Sequence, residues 1–485
     1  MGGLQWRRSF DLRPDLLTFP SASLGGSAVV PTAVSLYVNG VRQVDTAVPS
    51  GPFVINQVAG INGAGQATLV TRDAAGRAVS TTVPLYVDTR MLAEGLSDYS
   101  VELGAVRRNY TTRSFSYART PAVSGSLRRG LSDSLTLEMH GEAGRGVVNG
   151  GAGALRRLGQ AGVVSGSLAA SAGGARNGAQ AALGYQYLSQ RFSIDLQSQR
   201  ASARYADLGT VEGVPTVRAS DRANLTLALA GGQGVGLSVV NLRAPLAPPA
   251  RIAALNYSAS LGWGLYLSVS AFRDFRDDKA RGVFFSVSGS FGDRISANLS
   301  SSRQNGVRNT TATLARSADY SGGFGWGLQS SDSNGAPQRQ AQLTYLGNYG
   351  QVTAYTLQNG ANRTSSLDVA GALVLMDRSV HAARQVGAGF GLVSTDGVGG
   401  VPVLQENQVI GKTSSAGYML VPNLTPYLQN QLGIDTTHLP LDARVASTTQ
   451  AVVPARLSGV LVRFPVETYE AASVVVHDAA GQPLA

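Results

Sequence analysis

The sequence has no cysteine and only four histidines in 485 residues. Disulfide staples, thiol catalysis and Cys-ligated zinc are therefore excluded. His140, His381, His438 and His477 are too scattered to suggest a histidine metal cluster. Lys279 and Lys412 are the only lysines. Charged residues make up 14% of the chain, against roughly 25% in ordinary soluble domains. Long apolar runs are missing as well. The stretch 370–376 is interrupted by Gly371 and stops at Asp377, far short of the roughly 20 residues a spanning helix requires. Nor does the amino terminus look like an export signal. In Met1-Gly2-Gly3-Leu4-Gln5-Trp6-Arg7-Arg8 the charges follow the first apolar residues, and no apolar stretch precedes Asp11 and Pro14. The expectation is a sequence that begins part-way through a longer one.

What is abundant is glycine, 59 residues, and arginine, which gives most of the net charge of +10. A basic chain first suggests nucleic acid. Here the arginines stand singly or in pairs such as Arg107-Arg108 and Arg128-Arg129, beside turns, with no nucleic-acid motif around them. At the loops of a membrane barrel they would instead meet anionic lipid head groups.

From Ser97 to Met376 apolar and polar residues alternate in short segments. In Leu135-Thr136-Leu137-Glu138-Met139 and Phe192-Ser193-Ile194-Asp195-Leu196-Gln197, period 2 places the large apolar side chains on one face and the polar ones on the other. Short turns are expected at 131–133, 159–161, 189–191, 231–234, 262–264, 292–293, 323–325 and 348–350. Longer connections are expected at 205–221, 273–281, 303–311 and 330–338. Short turns at one end and long loops at the other fit an up-and-down outer-membrane barrel of roughly eighteen strands over this region. Apolar side chains would face lipid and polar ones a wide, wet lumen.

The flanks read differently. At 29–86 short strands surround an Asn39-Gly40 hairpin signal, the run Val48-Pro49-Ser50-Gly51-Pro52-Phe53, and a second turn at Asp73-Ala74-Ala75-Gly76. The tail from Phe390 is also short-stranded, broken by glycine and proline. Each flank predicts a small β-sandwich, and the fold class is all-β. The divisions are 1–26, a barrel strand and linker; 27–86, a sandwich; 87–378, barrel strands; 379–466, a second sandwich; and 467–485, the start of a further domain.

This order resembles the fimbrial outer-membrane ushers of the chaperone–usher pathway, most closely the spore-coat-U-like branch. The segments at 34–40, 48–56 and 73–77 resemble that family's plug. Gly95-Leu96-Ser97-Asp98-Tyr99 with Arg107-Arg108 resembles the barrel strand after the plug. Glu406-Asn407, Gly411-Lys412-Thr413, Gly417, Pro422, Tyr427 and Asn430 resemble its first carboxy-terminal domain. The residues at 473–481 resemble the start of the second.

The resemblance implies a multi-pass protein of the bacterial outer membrane, a gated channel and assembly platform for pilus subunits delivered by periplasmic chaperones. It implies donor-strand exchange without nucleotide, cofactor or catalytic residue. Asn39, Gly40, Pro49, Gly51, Pro52, Phe53, Asp73 and Gly76 would belong to the plug and gate. Glu406, Asn407, Gly411, Thr413, Gly417, Pro422, Tyr427 and Asn430 would belong to the domain that docks subunits. Partners would be chaperone–pilin complexes, outer-membrane lipid and lipopolysaccharide, with no nucleic acid. The family's signal peptide, amino-terminal domain and opening barrel strands have no counterpart here, so a truncated barrel is expected not to secrete subunits alone.

Other readings carry less. Gly63-Ala64-Gly65 and Gly387-Ala388-Gly389-Phe390-Gly391 lack the strand-to-helix setting of a phosphate loop. Asp274, Asp277 and Asp278 could hold calcium, but Arg273, Arg276 and Lys279 neutralise them. His438 beside Asp435 reads as a turn pair, not part of a catalytic triad. A passive porin leaves two sandwiches unexplained, and a β-solenoid or adhesin would show a shorter repeat.

Overall fold

The computed structural model describes the chain except residues 29–31, 40, 49–50, 59–61, 73–77, 110–111, 320–321, 438, 440–442 and 469–485. Its centre is a 19-stranded sheet. The strand Gly2–Arg7 pairs with Ser97–Arg107, which pairs with Tyr117–Ser132. From there every strand pairs antiparallel with the next in sequence, up to Asn362–Ala370. Gly2–Arg7 and Asn362–Ala370 are the two edges of this pairing order.

Strands such as Leu135–Gly144, Ala219–Leu229 and Gly323–Ser333 have 10 or 11 residues, the length a tilted strand needs to cross a bilayer. No helix is long and apolar enough to do so.

The eight short turns fall at one end of the sheet, but the seventh is corrected: 323–325 are strand residues, and the chain turns before Gly323–Ser333 begins. Of the four long connections, two are as expected: 202–218 and 275–280. The other two are corrected. At 303–311 and 330–338 the strands continue to the two-residue turns Asn305-Gly306 and Asn334-Gly335. Both residues of each turn have positive φ, 52° and 85° in the first and 51° and 84° in the second. That is the type I′ geometry matched to strand twist. These strand tips are polar on both faces, so the alternation that marks a half-buried strand fades before the strand ends.

The end of the alternating region, read as strand up to Met376, is also divided. The sheet ends at Ala370, and Ala372–Met376 forms its own hairpin with Ser379–Ala383. Asp377 and Arg378 supply that turn's positive φ.

Between the first two strands of the sheet lies a small sandwich. One layer runs Val41–Val48, Thr32–Val38, Gly63–Arg72, Ala78–Val87, and the other pairs Ala22–Ala28 with Gly51–Val58. Leu24, Leu36, Val38, Ala67 and Val87 form its core.

After the hairpin comes a second sandwich. Gly389–Ser394 lies between Tyr418–Val421 and Ser458–Arg463, facing a four-stranded layer ordered Gln408–Lys412, Pro402–Gln405, Asn430–Ile434, Thr449–Val452. Its core includes fully buried Val393, Val403, Val421, Leu432 and Phe464. Gly63-Ala64-Gly65 and Gly389-Phe390-Gly391 are strand residues, so neither segment forms a phosphate-cradling loop.

Candidate functional site

The register fixes two faces on the large sheet, because cross-strand partners share a face. One face is polar. Pairings carry it from Gln197 and Arg222, through Asn224 and Ser238, Asn256 and Ser270, and Asn298 and Thr313, to Gln329 and Gln340. Short hydrogen bonds tie it together, such as Ser238 Oγ to Asn224 Oδ1 at 2.7 Å and Asn298 Nδ2 to Ser286 Oγ at 2.9 Å.

The opposite face is apolar. Leu225 pairs with Leu237 and Leu237 with Leu255, Leu314 with Leu328, and Leu343 with Ala354. Thr136, Glu138, Asp195 and Gln197 fall on the polar face; Leu137, Met139 and Leu196 fall on the apolar one. The expected alternation is present strand by strand.

The polar face is also the one the first sandwich reaches. The linker after it lies against this face: Leu92 N donates to Thr136 Oγ1 at 2.9 Å, and Arg128 bridges Arg90 O and Glu138 Oε1, both at 2.6 Å. Thr136 is fully buried there. Gly130 is required by close approach, since a Cβ would sit 2.2 Å from Ala93 O. Buried Asp88 takes a two-pronged contact from the Arg90 guanidinium, 2.7 Å at the shortest.

The sandwich itself meets the sheet at the short-turn end. Tyr86 packs among Met91, Leu155 and Val163, and its ring stacks on Tyr187 at 5.9 Å. Arg157 Nη1 donates to Tyr86 O at 2.8 Å, and Gln160 Nε2 to Pro84 O at 3.2 Å. Burial pushes the Tyr86 phenol up in pKa.

At the other end the connection 202–218 folds back over the polar face, a feature the sequence did not reveal. Ala206 and Leu208 pack on Ala122 and Val147. Asn149 Nδ2 donates to Ala206 O at 2.9 Å, Ala206 N to Ser171 Oγ at 3.1 Å, and Leu208 N to Glu142 Oε1 at 2.7 Å. A one-turn helix, Leu208–Val211, is capped by Asp207, which accepts from Thr210 N at 2.6 Å. Beyond it Glu212 is gripped by Arg108 and by Arg145, the latter at 3.2 Å. The Arg108 hydrogen bond, then that of Arg145, holds the Glu212 carboxyl below the usual carboxylate range. The signal was the run Tyr205, Ala206, Leu208 and Val211, unusually apolar for a connection between strands.

Among the expected gate residues, Asn39 has φ 50° and closes a hairpin, its Oδ1 accepting from Gln66 N at 2.9 Å. Gly51, Pro52 and Phe53 begin the strand paired with Ala22–Ala28. Gly40, Pro49, Asp73 and Gly76 lie outside the described residues, as do His438, His477 and the segment 473–481.

The expected docking residues gather in the second sandwich, and most of them build it. Asn430, 4% exposed, accepts from Thr425 N at 2.8 Å and donates to Thr425 O and Leu428 O at 2.9 and 2.8 Å. Thr413 Oγ1 accepts from Val401 N and donates to Val398 O, both at 3.0 Å. Gly411 leaves room for Met419, and Gly417, at φ 77°, packs on the backbone of Gly397. Pro422 O accepts from Gly387 N and Tyr427 N donates to Pro454 O, both at 2.8 Å. Glu406 and Asn407 are exposed, forming the positive-φ turn between Pro402–Gln405 and Gln408–Lys412. Asp377 ties this sandwich to the preceding hairpin, accepting from Tyr418 OH at 2.9 Å and pairing with Arg463 at 3.3 Å. That bond to the carboxylate raises the Tyr418 pKa.

The acidic residues near 274–278 already bond to the protein. Asp274 Oδ1 accepts from Arg251 N and Arg276 N, at 2.9 and 2.8 Å, and Arg273 pairs with Asp278 at 2.8 Å. No group of metal-ligating side chains assembles among the described residues.

Comparison with known proteins gives this arrangement a context. Residues 251–464 match the family model described as outer membrane usher protein. The outer membrane usher protein YraJ of Escherichia coli K12 is 32% identical over 157 residues, which is 32% of this chain and 18% of the relative. MyfC, an outer membrane usher protein of Yersinia enterocolitica, is 24% identical over 481 residues, covering 90% of this chain and 54% of the relative. This chain thus spans about half the length of the relatives it matches from end to end. Among solved structures, an E. coli P pilus tip assembly intermediate, PapC-PapD-PapK-PapG, superposes with TM-score 0.69 at 18% identity, over 96% of this chain and 62% of the matched one. The fold is shared over nearly the whole length. Residues 251–464, the last strands of the large sheet and most of the carboxy-terminal sandwich, are thus similar to the outer membrane usher family.

Proposed function

We propose that this chain forms the translocation channel and part of the assembly platform of a pilus usher, and that chaperone–pilin complexes are its partners. The observation that carries this reading is positional. Both sandwiches are tethered at the short-turn end of the sheet: the first packs there through Tyr86 and Arg157, and the linker into the second is held there by Arg384 Nε to Gly347 O at 3.0 Å. Short turns are periplasmic in outer-membrane barrels. Two folded domains on that side, beside a polar channel wall, suit a machine that receives protein cargo from the periplasm. A passive porin gives them no task.

The chemistry asked of the protein is orientation. Subunits join by exchanging one added β-strand for another, a reaction driven by backbone pairing and side-chain fit, not by nucleotide. The first sandwich would gate the channel, and the carboxy-terminal sandwich would hold the growing base. Removing residues 27–86 from the membrane-inserted protein is then expected to raise ion conductance and antibiotic uptake. Co-purification with a periplasmic chaperone–subunit complex tests the platform role. Unchanged conductance, or no complex captured, would reject the corresponding part.

A further inference from the structure

The outer face of the sheet carries arginines at the end away from the sandwiches. Arg251, Arg281, Arg303, Arg308, Arg339 and Arg363 are all exposed. The register puts them on the apolar side: Arg303 pairs with Arg308, Arg339 with Ser330 and Gln358, and Gln358 with Arg363. Each stands two or four residues beyond an apolar or small outward residue of its own strand, as Arg281 beyond Val283, Arg303 beyond Leu299 and Arg363 beyond Leu367. The result is a basic belt above the apolar band. Arg251, Arg281, Arg303, Arg308, Arg339 and Arg363 make no ion pair with a carboxylate among the described residues.

Under part of this belt the wall is hollowed. A depression of about 620 Å³ has Leu314, Leu328 and Ala341 on its apolar side, and Arg339 and Arg363 at its upper rim. Apolar floor and cationic rim lie in the order in which an amphiphile presents acyl chain and phosphate. Guanidinium matches phosphate with two parallel hydrogen bonds, and it keeps its charge at the interface.

We infer that this hollow and the surrounding belt bind the phosphorylated glycolipid of the outer leaflet, lipopolysaccharide. Acyl chain lies along Leu314, Leu328 and Ala341, and its phosphates meet Arg339 and Arg363, with Arg303 and Arg308 beside them. The site rests on the reading that the end away from the sandwiches faces outward. That orientation is checked separately by Lys279→Cys, clean because the chain has no cysteine, labelled on intact cells with an impermeant maleimide.

The binding test is calorimetric titration of the detergent-solubilised full chain with purified lipopolysaccharide. Saturable binding is expected. It should weaken about tenfold or more in R303Q/R308Q/R339Q/R363Q, from the loss of four interfacial cations, and similarly on removal of the lipid A phosphates. Ala341→Trp fills the hollow without touching charge and is expected to weaken binding too, while the inner-face substitution Arg222→Gln leaves it unchanged. Equal affinity for dephosphorylated lipid, equal affinity for phosphatidylglycerol, or indifference to both Ala341→Trp and the quadruple substitution would overturn the proposal. Failure of Lys279 labelling would remove the belt from the outer leaflet and overturn it in the cell. The detergent measurement does not depend on orientation, so the two failures are distinguishable.

Discussion

At the residue scale, the carboxy-terminal sandwich shows how a motif can carry family likeness while doing architectural work. Asn430 is buried with its amide fully used, bonded to the 425–428 loop and, more loosely, to Val452 O at 3.4 Å. Alanine would remove the buried amide that bonds Thr425 N, Thr425 O and Leu428 O together and leave the loop without its internal tie, a loss of about 1–3 kcal/mol. Asn430→Ala is therefore expected to destabilise this domain by that amount, read as a lower midpoint in urea unfolding. Thr413→Val, close in shape but without the hydroxyl, should behave alike by stranding Val401 N and Val398 O. These roles were invisible in the sequence. A polar residue in a short-stranded tail gives no sign of whether its side chain turns inward, and only the tertiary contacts decide. Glu406 and Asn407 are the contrary case: they are exposed at a tight turn, and Glu406 Oε1 accepts from Gln431 N at 2.8 Å.

At the element scale, hairpins at the short-turn end were legible because glycine marks them and the strands beside them alternate cleanly. At the far end the same rule was present but overridden. Asn305-Gly306 and Asn334-Gly335 are strong hairpin signals, yet their flanks, Ser301-Ser302-Arg303-Gln304 among them, look like loop because water bathes both faces of a strand above the membrane. The connection 202–218 was legible as long, but not as folded inward. Beyond the Ala206 and Leu208 contacts, its far part is held to the wall by the Glu212 pair with Arg108 and Arg145. A carboxyl whose folded pKa is lowered contributes stability above its unfolded pKa, roughly 4.3, and loses it as pH falls through the lower folded value. The connection is thus expected to stay docked at pH 7 and to loosen only under acid, at a pH below the ordinary carboxylate range, when Glu212 takes up a proton. A spin label at Thr216 should report the change, and Glu212→Gln should show the loosened state at pH 7. Equal mobility at pH 7 and pH 3 in the unsubstituted chain would reject the role of this pair.

At the scale of the whole molecule, one periodicity does most of the organising. Two faces of opposite character run across consecutive pairings, and slipping any strand by one residue would exchange them. That strictness is why composition and spacing sufficed to read a membrane sheet, even with a charged fraction of only 14%. The edges at Gly2–Arg7 and Asn362–Ala370 obey a second rule. Unpaired backbone groups are intolerable in lipid, so the membrane-embedded form has to satisfy both edges. The faces can be tested directly on neighbouring residues of one strand. Leu255 is 53% exposed on the apolar side, between Leu237 and Ala271. Asn256 points to the polar side, between Gly236 and Ser270. Arginine at a lipid-facing position costs about 2–4 kcal/mol near the bilayer midplane, whereas a lumen position keeps its water. Leu255→Arg is therefore expected to impair insertion and lower unfolding stability by that amount, and Asn256→Arg to fold normally while shifting the channel's ion selectivity toward anions. Equal stability losses at the two adjacent sites would contradict the assignment of faces, because a single-residue step is the shortest distance over which lipid and lumen exchange.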